Sequence, residues 1–258
     1  MTKNSMPGES MTPTEQKVYF ALSGSGGMLF DIAQIRSYGL CGEGMLRRAL
    51  SSLVAKGRMT RIKKGLYLIG DTDPFIAGPY MFNGYLAFSS ALYVYRAFDE
   101  RPSLIYVANA SSSATRILGG MEIKGVALHR RALGMTRHEG YIVSTKAKTV
   151  YDSLYLPEDA GGYGKVLRGI AMLGMGRQDW DEFLSYVKRF EGASFRRKAG
   201  YLFSVLNTAG AFVPRRVIDS LRCQGGVTRL GQGRKGSYVR EWNLVDYVGK
   251  EALMGWVQ

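Results

Sequence analysis

A chain of 258 residues, 46% hydrophobic and 22% charged, has ordinary globular composition, which excludes a disordered or low-complexity polymer. Its 35 Lys and Arg against 21 Asp and Glu give a net charge of +14, so the expected partner is an anion, nucleic acid ahead of a membrane surface. Two distant cysteines, Cys41 and Cys223, and two histidines, His129 and His138, exclude a disulfide framework and a structural zinc site.

No apolar run reaches the roughly 18 residues of a membrane span, and residues 1–13 lack the apolar core of a secretory leader. The expected location is therefore cytoplasmic, with no cofactor and no metal. Loop-like stretches at Gly70–Pro74 (GDTDP) and Pro157–Gly164 (PEDAGGYG) divide the chain into residues 1–72, 73–160 and 161–258. Their net charges are +5, +1 and +8. Residues 73–258 can also be read as one domain.

In the first segment, Thr12-Pro13-Thr14-Glu15 reads as a capping box with proline at the first helical position. Val18, Tyr19, Ala21 and Leu22 continue the helix, which Ser23–Gly27 breaks. A short second helix follows, capped by Asp31, with Ile32 and Ile35 inward and Gly39 as its left-handed stop. The third runs from Glu43 to Lys56, with Leu46, Ala49, Leu50, Leu53 and Val54 on one side at helical spacing.

The other side carries Gly44, Arg48, Ser51, Ser52 and Ala55, with Arg47 on its flank: small residues and arginines, the surface that can approach a duplex closely. Residues 58–62 and 66–69 are β-prone runs flanking Lys63-Lys64-Gly65, a hairpin signature. Three helices and a basic hairpin predict a winged helix-turn-helix with its third helix in the major groove. Arg47, Arg48, Ser51 and Ser52 are the candidates for groove contact. Lys56, Arg58, Arg61, Lys63 and Lys64 are the candidates for phosphate contact.

Farther on, Tyr85–Phe98 reads as one buried helix. Strands are expected at Ser103–Ala108, Met121–Leu128 and Gly140–Ser144, and a helix over Thr145–Leu156. Helices at Val166–Leu173, Asp179–Phe190, Ala193–Leu206 and Val213–Leu221 follow. The runs Val227–Leu230 and Ser237–Leu244 predict a closing hairpin about Gly231–Gly236. The fold class is α+β: a winged helix, a mixed α/β segment with a small sheet, and a helical region ending in a β-hairpin.

Catalytic motifs are sparse. The string Gly161–Val166 lacks the first glycine of a phosphate-binding loop and the hydroxyl after its lysine. His129 and His138 sit beside arginines in surface segments, without an orienting carboxylate. Glu122-Ile123-Lys124 has the E-x-K form of some metal-dependent nucleases, with both ends on one strand face but no evident aspartate partner. Arg196-Arg197-Lys198 reads either as a solvated helix start or as a second anion site for DNA flanks or RNA; cations there oppose the helix dipole.

Leu46-Arg47-Arg48-Ala49-Leu50 with Leu53, then Gly57-Arg58 and Lys64-Gly65-Leu66-Tyr67, resembles the helix and wing of AbiEi-type antitoxins, transcriptional regulators of viral-defence (abortive infection) loci. Asp73-Pro74-Phe75, Ser90-Ala91-Leu92, Thr145–Asp152, Arg196–Leu202 and Trp242-Asn243-Leu244 resemble that family's later landmarks, in order. Lys64 stands where the family often has arginine, which keeps the charge and loses the bidentate fork. The resemblance implies a repressor of its own operon, binding an inverted repeat, that counters a toxin of nucleotidyltransferase type encoded nearby. A regulator without a toxin partner and a nuclease using Glu122 and Lys124 are the alternatives.

Overall fold

The computed structural model describes residues 10–70 and 73–257. Asp71 and Thr72 of the first connection, and residues 1–9, which carry most of the leader reading, lie outside them. The chain forms two compact units, residues 1–81 and 82–258. It is a mixed α+β protein in which no described helix is long and apolar enough to cross a membrane.

The first unit runs α1 (Pro13–Gly24), β1 (Leu29–Asp31), α2 (Ile32–Ser37), α3 (Glu43–Ala55), β2 (Met59–Lys63) and β3 (Leu66–Ile69). α1 starts on the expected capping box: the Thr12 backbone N–H donates to Glu15 Oε2 at 2.9 Å, and Glu15 N donates to Thr12 Oγ1 at 3.4 Å. Asp31 and Gln34 form a second box on α2, at 2.7 and 2.9 Å. The core is Val18, Leu22, Phe30, Ile35, Leu46, Leu50 and Leu53, all buried. β1, too short to show in the sequence pattern, pairs antiparallel with β3, giving the sheet order β1-β3-β2.

α4 (Pro74–Phe82) leads into the second unit, where Phe82 lies against Gly125. The expected helix at Tyr85–Phe98 is instead strand β4 (Tyr85–Leu86) and helix α5 (Phe88–Val94). Periodicity misled because the segment is apolar all round, a pattern shared by a buried strand and a buried helix. Gly84 lets β4 close on β5 (Leu104–Asn109), since a Cβ there would fall 2.0 Å from the Ala108 carbonyl oxygen.

Three further strands and the sheet's true width were not visible in sequence. With β6 (Ala114–Leu118), β7 (Met121–Ala127), β8 (Met135–His138) and β9 (Tyr141–Ser144), the order is β6-β7-β5-β4-β9-β8. β5 and β7 are parallel, as are β4 and β9; the other neighbours are antiparallel.

Helices α6 (Lys146–Tyr155), α7 (Gly162–Met172), α8 (Arg177–Phe190), α9 (Ala193–Thr208) and α10 (Arg215–Leu221) follow. One hydrophobic core takes in Tyr85, Ala108, Tyr151, Phe183, Phe203 and Leu244, so residues of the middle and C-terminal segments pack together. The expected closing hairpin does not form. β10 (Thr228–Leu230) and β11 (Ser237–Val239) both pair with β12 (Leu244–Asp246), which lies between them, parallel to the first and antiparallel to the second. A 3-10 turn at Arg240–Trp242 and a left-handed Asn243 return the chain, while Trp242 anchors the turn in the core. α11 (Lys250–Met254) closes the unit.

Candidate nucleic-acid interface

α3 buries Leu46, Ala49, Leu50 and Leu53 and exposes Gly44, Arg48, Ser51 and Ala55, a stripe at alternating four- and three-residue spacing. Arg48 and Ser51 thus stand on the outward face. Arg47 is also exposed, but its Nη2 lies 2.7 Å from Glu43 Oε1, and Glu43 also pairs with Arg36 of α2. One carboxylate at the start of α3 therefore serves two guanidiniums, and the arginines hold its pKa below the ordinary value. The part of Arg36 in this charge cluster was missed in sequence.

Ser52 and Lys56 occupy a different side of the helix. Lys56 Nζ lies 2.7 Å from Glu15 Oε2 and 3.0 Å from the Ser10 carbonyl oxygen, with little of its side chain exposed. Hydrogen bonds from Lys56 and then Ser52 hold the Glu15 carboxyl down at about 2, against desolvation. Lys56, expected at the DNA surface, instead ties the end of α3 to α1, and Ser52 is half-buried. The sequence hid this because Glu15 is 41 residues away from Lys56.

Past α3, the Arg58 N–H closes on the Leu53 carbonyl at 2.9 Å, and Arg58 is exposed. β2 and β3 join through Lys64-Gly65, where Gly65 takes φ +77° and its carbonyl accepts from Ile32 N at 2.8 Å. A register shift between Arg61 and Lys63 lets Arg61 stay exposed while Ile62 turns inward. Arg48, Arg58, Arg61 and Lys64 are exposed and make no ion pair among the described residues; Lys63 is half-buried.

In the second unit, Arg197 is 2% exposed and donates through Nη1 to the Gly226 carbonyl and to Thr228 Oγ1. Its Nε and Nη2 find no hydrogen-bond partner among the described residues, nor does Arg196 Nε. Arg197 is thus a brace between α9 and the chain leading into β10, not a surface anion ligand; Arg196 and Lys198 are half-buried beside it. Glu122 and Lys124 do share a face of β7, but Lys124 Nζ lies 2.8 Å from Asp159 Oδ1 and 5.3 Å from the Tyr106 ring centroid. No three His, Cys, Asp or Glu side chains among the described residues come together as a metal site.

The fold resembles that of a solved mycobacterial protein. The RV2827C protein from Mycobacterium tuberculosis superposes with a TM-score of 0.68 at 15% identity, over 98% of this chain and 97% of that one. At that identity the likeness concerns the fold alone. No family model and no curated protein matches the chain.

A fully buried ion pair was also unread in sequence. Lys148 and Asp152, one helical turn apart on α6, are both fully buried and form an ion pair. Tyr85 donates to the second Asp152 oxygen at 3.4 Å, and the Lys148 ammonium stands 4.8 Å from the Tyr151 ring centroid. Burial pushes both charged groups toward neutrality, raising the aspartic acid pKa and lowering that of the lysine. Neither is accessible to a ligand, so the pair belongs to the core.

Proposed function

We propose that the first unit is a winged helix-turn-helix that reads duplex DNA, and that the protein is a transcriptional repressor. The observation that carries this reading is the outward stripe of α3: a glycine, an arginine, a serine and an alanine, with no acidic side chain. A helix with such a face can enter the major groove without repelling phosphate. The order helix, short strand, helix, helix, hairpin supports the reading, with Arg58, Arg61 and Lys64 in position to follow the backbone as a wing.

The resemblance to AbiEi-type antitoxins extends the proposal. The protein would autoregulate its operon and neutralise a nucleotidyltransferase-type toxin encoded beside it. A nuclease acting through Glu122 and Lys124 has less support, because Lys124 is engaged by Asp159.

The test is a gel shift on the DNA upstream of its own reading frame, with Arg48→Ala and with Lys63→Ala combined with Lys64→Ala. Each should lower affinity about tenfold or more, and the lysine pair should flatten the salt dependence by about one unit or more. Unchanged affinity and salt slope would overturn the assignment. For the toxin, co-expression with a neighbouring nucleotidyltransferase-like frame should restore growth; growth arrest despite full expression would leave a repressor alone.

A further inference from the structure

The C-terminal sheet has one buried face and one open face. Leu230, Leu244 and Asp246 point inward and are buried. The row paired across the sheet is Arg229, Val245 and Tyr238, and its side chains point the other way. Arg229 is exposed and Tyr238 is 58% exposed. Tyr238 is also fixed in place, for its hydroxyl donates to Asn243 Oδ1 at 2.7 Å, and Asn243 Nδ2 donates to the Gly225 carbonyl at 2.9 Å.

The loop between β10 and β11 lies on this same face. A Cβ on Gly236 would fall 2.6 Å from Val245 Cγ1 and 2.9 Å from the Tyr247 ring, and one on Gly233 would fall 3.3 Å from that ring. Val245 and Tyr247 alternate with the buried Asp246, so both side chains belong to the open side. The glycines therefore let the loop pass close to the Tyr247 end of this face while Arg229 and Tyr238 stay exposed, and the loop carries exposed Arg234 and Lys235. Neither cation makes an ion pair among the described residues, and nor does Arg229.

We propose that this face binds a single-stranded polynucleotide, with Tyr238 stacking on a base and Arg229, Arg234 and Lys235 holding phosphates. A pinned aromatic ring on an open sheet, with Arg229 about 10 Å away across two strand spacings and two further cations on the adjoining loop, is a platform for splayed bases. A duplex offers no free base face to the ring, and its major groove admits a helix or a two-stranded ribbon, not a three-stranded sheet. This site is independent of the α3 surface in the first unit.

The experiment is fluorescence anisotropy with labelled oligo(U) and oligo(dT) of 12 nucleotides and a duplex of matched length, using the full chain. It is run in the wild type and in an Arg48→Ala, Lys63→Ala, Lys64→Ala background that disables the first unit. Both proteins should bind single strands alike, with oligo(U) against oligo(dT) reporting whether the sugar is read. Tyr238→Ala should weaken binding about tenfold while Tyr238→Phe keeps most of it, since the ring does the stacking and the hydroxyl only pins it. Arg234→Glu with Lys235→Glu, on an exposed loop, tests the same face without touching the core and should abolish binding at moderate salt.

The proposal fails if single strands do not bind, if Tyr238→Ala and the charge-reversed loop both bind as the wild type does, or if the duplex binds this face more tightly in the disabled background. Loss of single-strand binding in that background would also overturn it, by assigning the strand to the first unit; loss of duplex binding there would not.

Discussion

Lys56 and Glu15, 41 residues apart, meet as a 2.7 Å ion pair between α3 and α1, and this removes one cation from the basic strip that the sequence suggests. The pair is shielded from solvent, so its loss has a structural consequence rather than a binding one. Glu15→Gln should cost about 2 kcal/mol of stability, the scale of a charged hydrogen bond in a protected setting. On the proposed DNA-binding reading, Lys56→Met should leave duplex affinity within about twofold of wild type while lowering the melting temperature. Parallel losses of affinity and stability in Lys56→Met would return this lysine to the interface.

The same pair sets a pH dependence. Glu15 has its folded pKa depressed to about 2 from an ordinary 4.5, so its contribution is complete above pH 4.5 and is lost as pH falls toward 2. Denaturant titrations between those limits should show a shallower acid limb in Glu15→Gln than in the wild type. Equal slopes would mean that the carboxylate is not held down in the folded state.

Glu43 divides its charge between Arg36 and Arg47. Glu43→Gln should release both guanidiniums and, on the proposed DNA-binding reading, raise duplex affinity about threefold at low salt, an effect that fades as salt is added. A gel-shift titration at two salt concentrations reads this directly. No gain at low salt would place Arg47 away from the phosphate track.

Asp152→Asn leaves the Lys148 ammonium in the core without its counterion, and about 3–5 kcal/mol of destabilisation is expected. Removing both charges, with Lys148→Met and Asp152→Leu, should recover most of that loss, since two buried ions are replaced by packing. Chemical denaturation of the three variants checks it. A double variant as weak as Asp152→Asn would show that the Tyr85 hydrogen bond and the exact volume matter more than the charges.

At Gly200 on α9, an added Cβ would lie 2.1 Å from the Trp242 ring. Gly200→Ala should therefore displace the indole and cost about 1–3 kcal/mol, with a changed tryptophan emission spectrum. An unchanged spectrum and melting temperature would mean that the turn at Arg240–Trp242 shifts freely.

Local physics was legible in the sequence. The Thr12 capping box, the Asp31 cap, the buried and open sides of α3 and the Lys64-Gly65 turn each depend on residues within one or two turns of each other, so spacing alone revealed them. Three strands of the six-stranded sheet were legible, now β5, β7 and β9, but its order was not: its parallel pairs join β5 to β7 and β4 to β9, and its shortest strands carry too few residues to show a period. The apolar run at Tyr85–Val94 held the signals of strand and helix at once, and only pairing with Ala108 and Val107 decided for a strand at its start.

Sequence by itself determined where the positive charge lies and which face of α3 can be open. The tertiary structure decided which of those charges are free. Lys56 went to Glu15, Arg197 to the Gly226 carbonyl and Lys124 to Asp159, each across a gap of 29 residues or more. A cation's sequence neighbours fix its place on a helix or strand, but its partner is set by whichever distant oxygen the fold brings within reach, because a shielded charge must be paired or hydrogen-bonded to remain where it is.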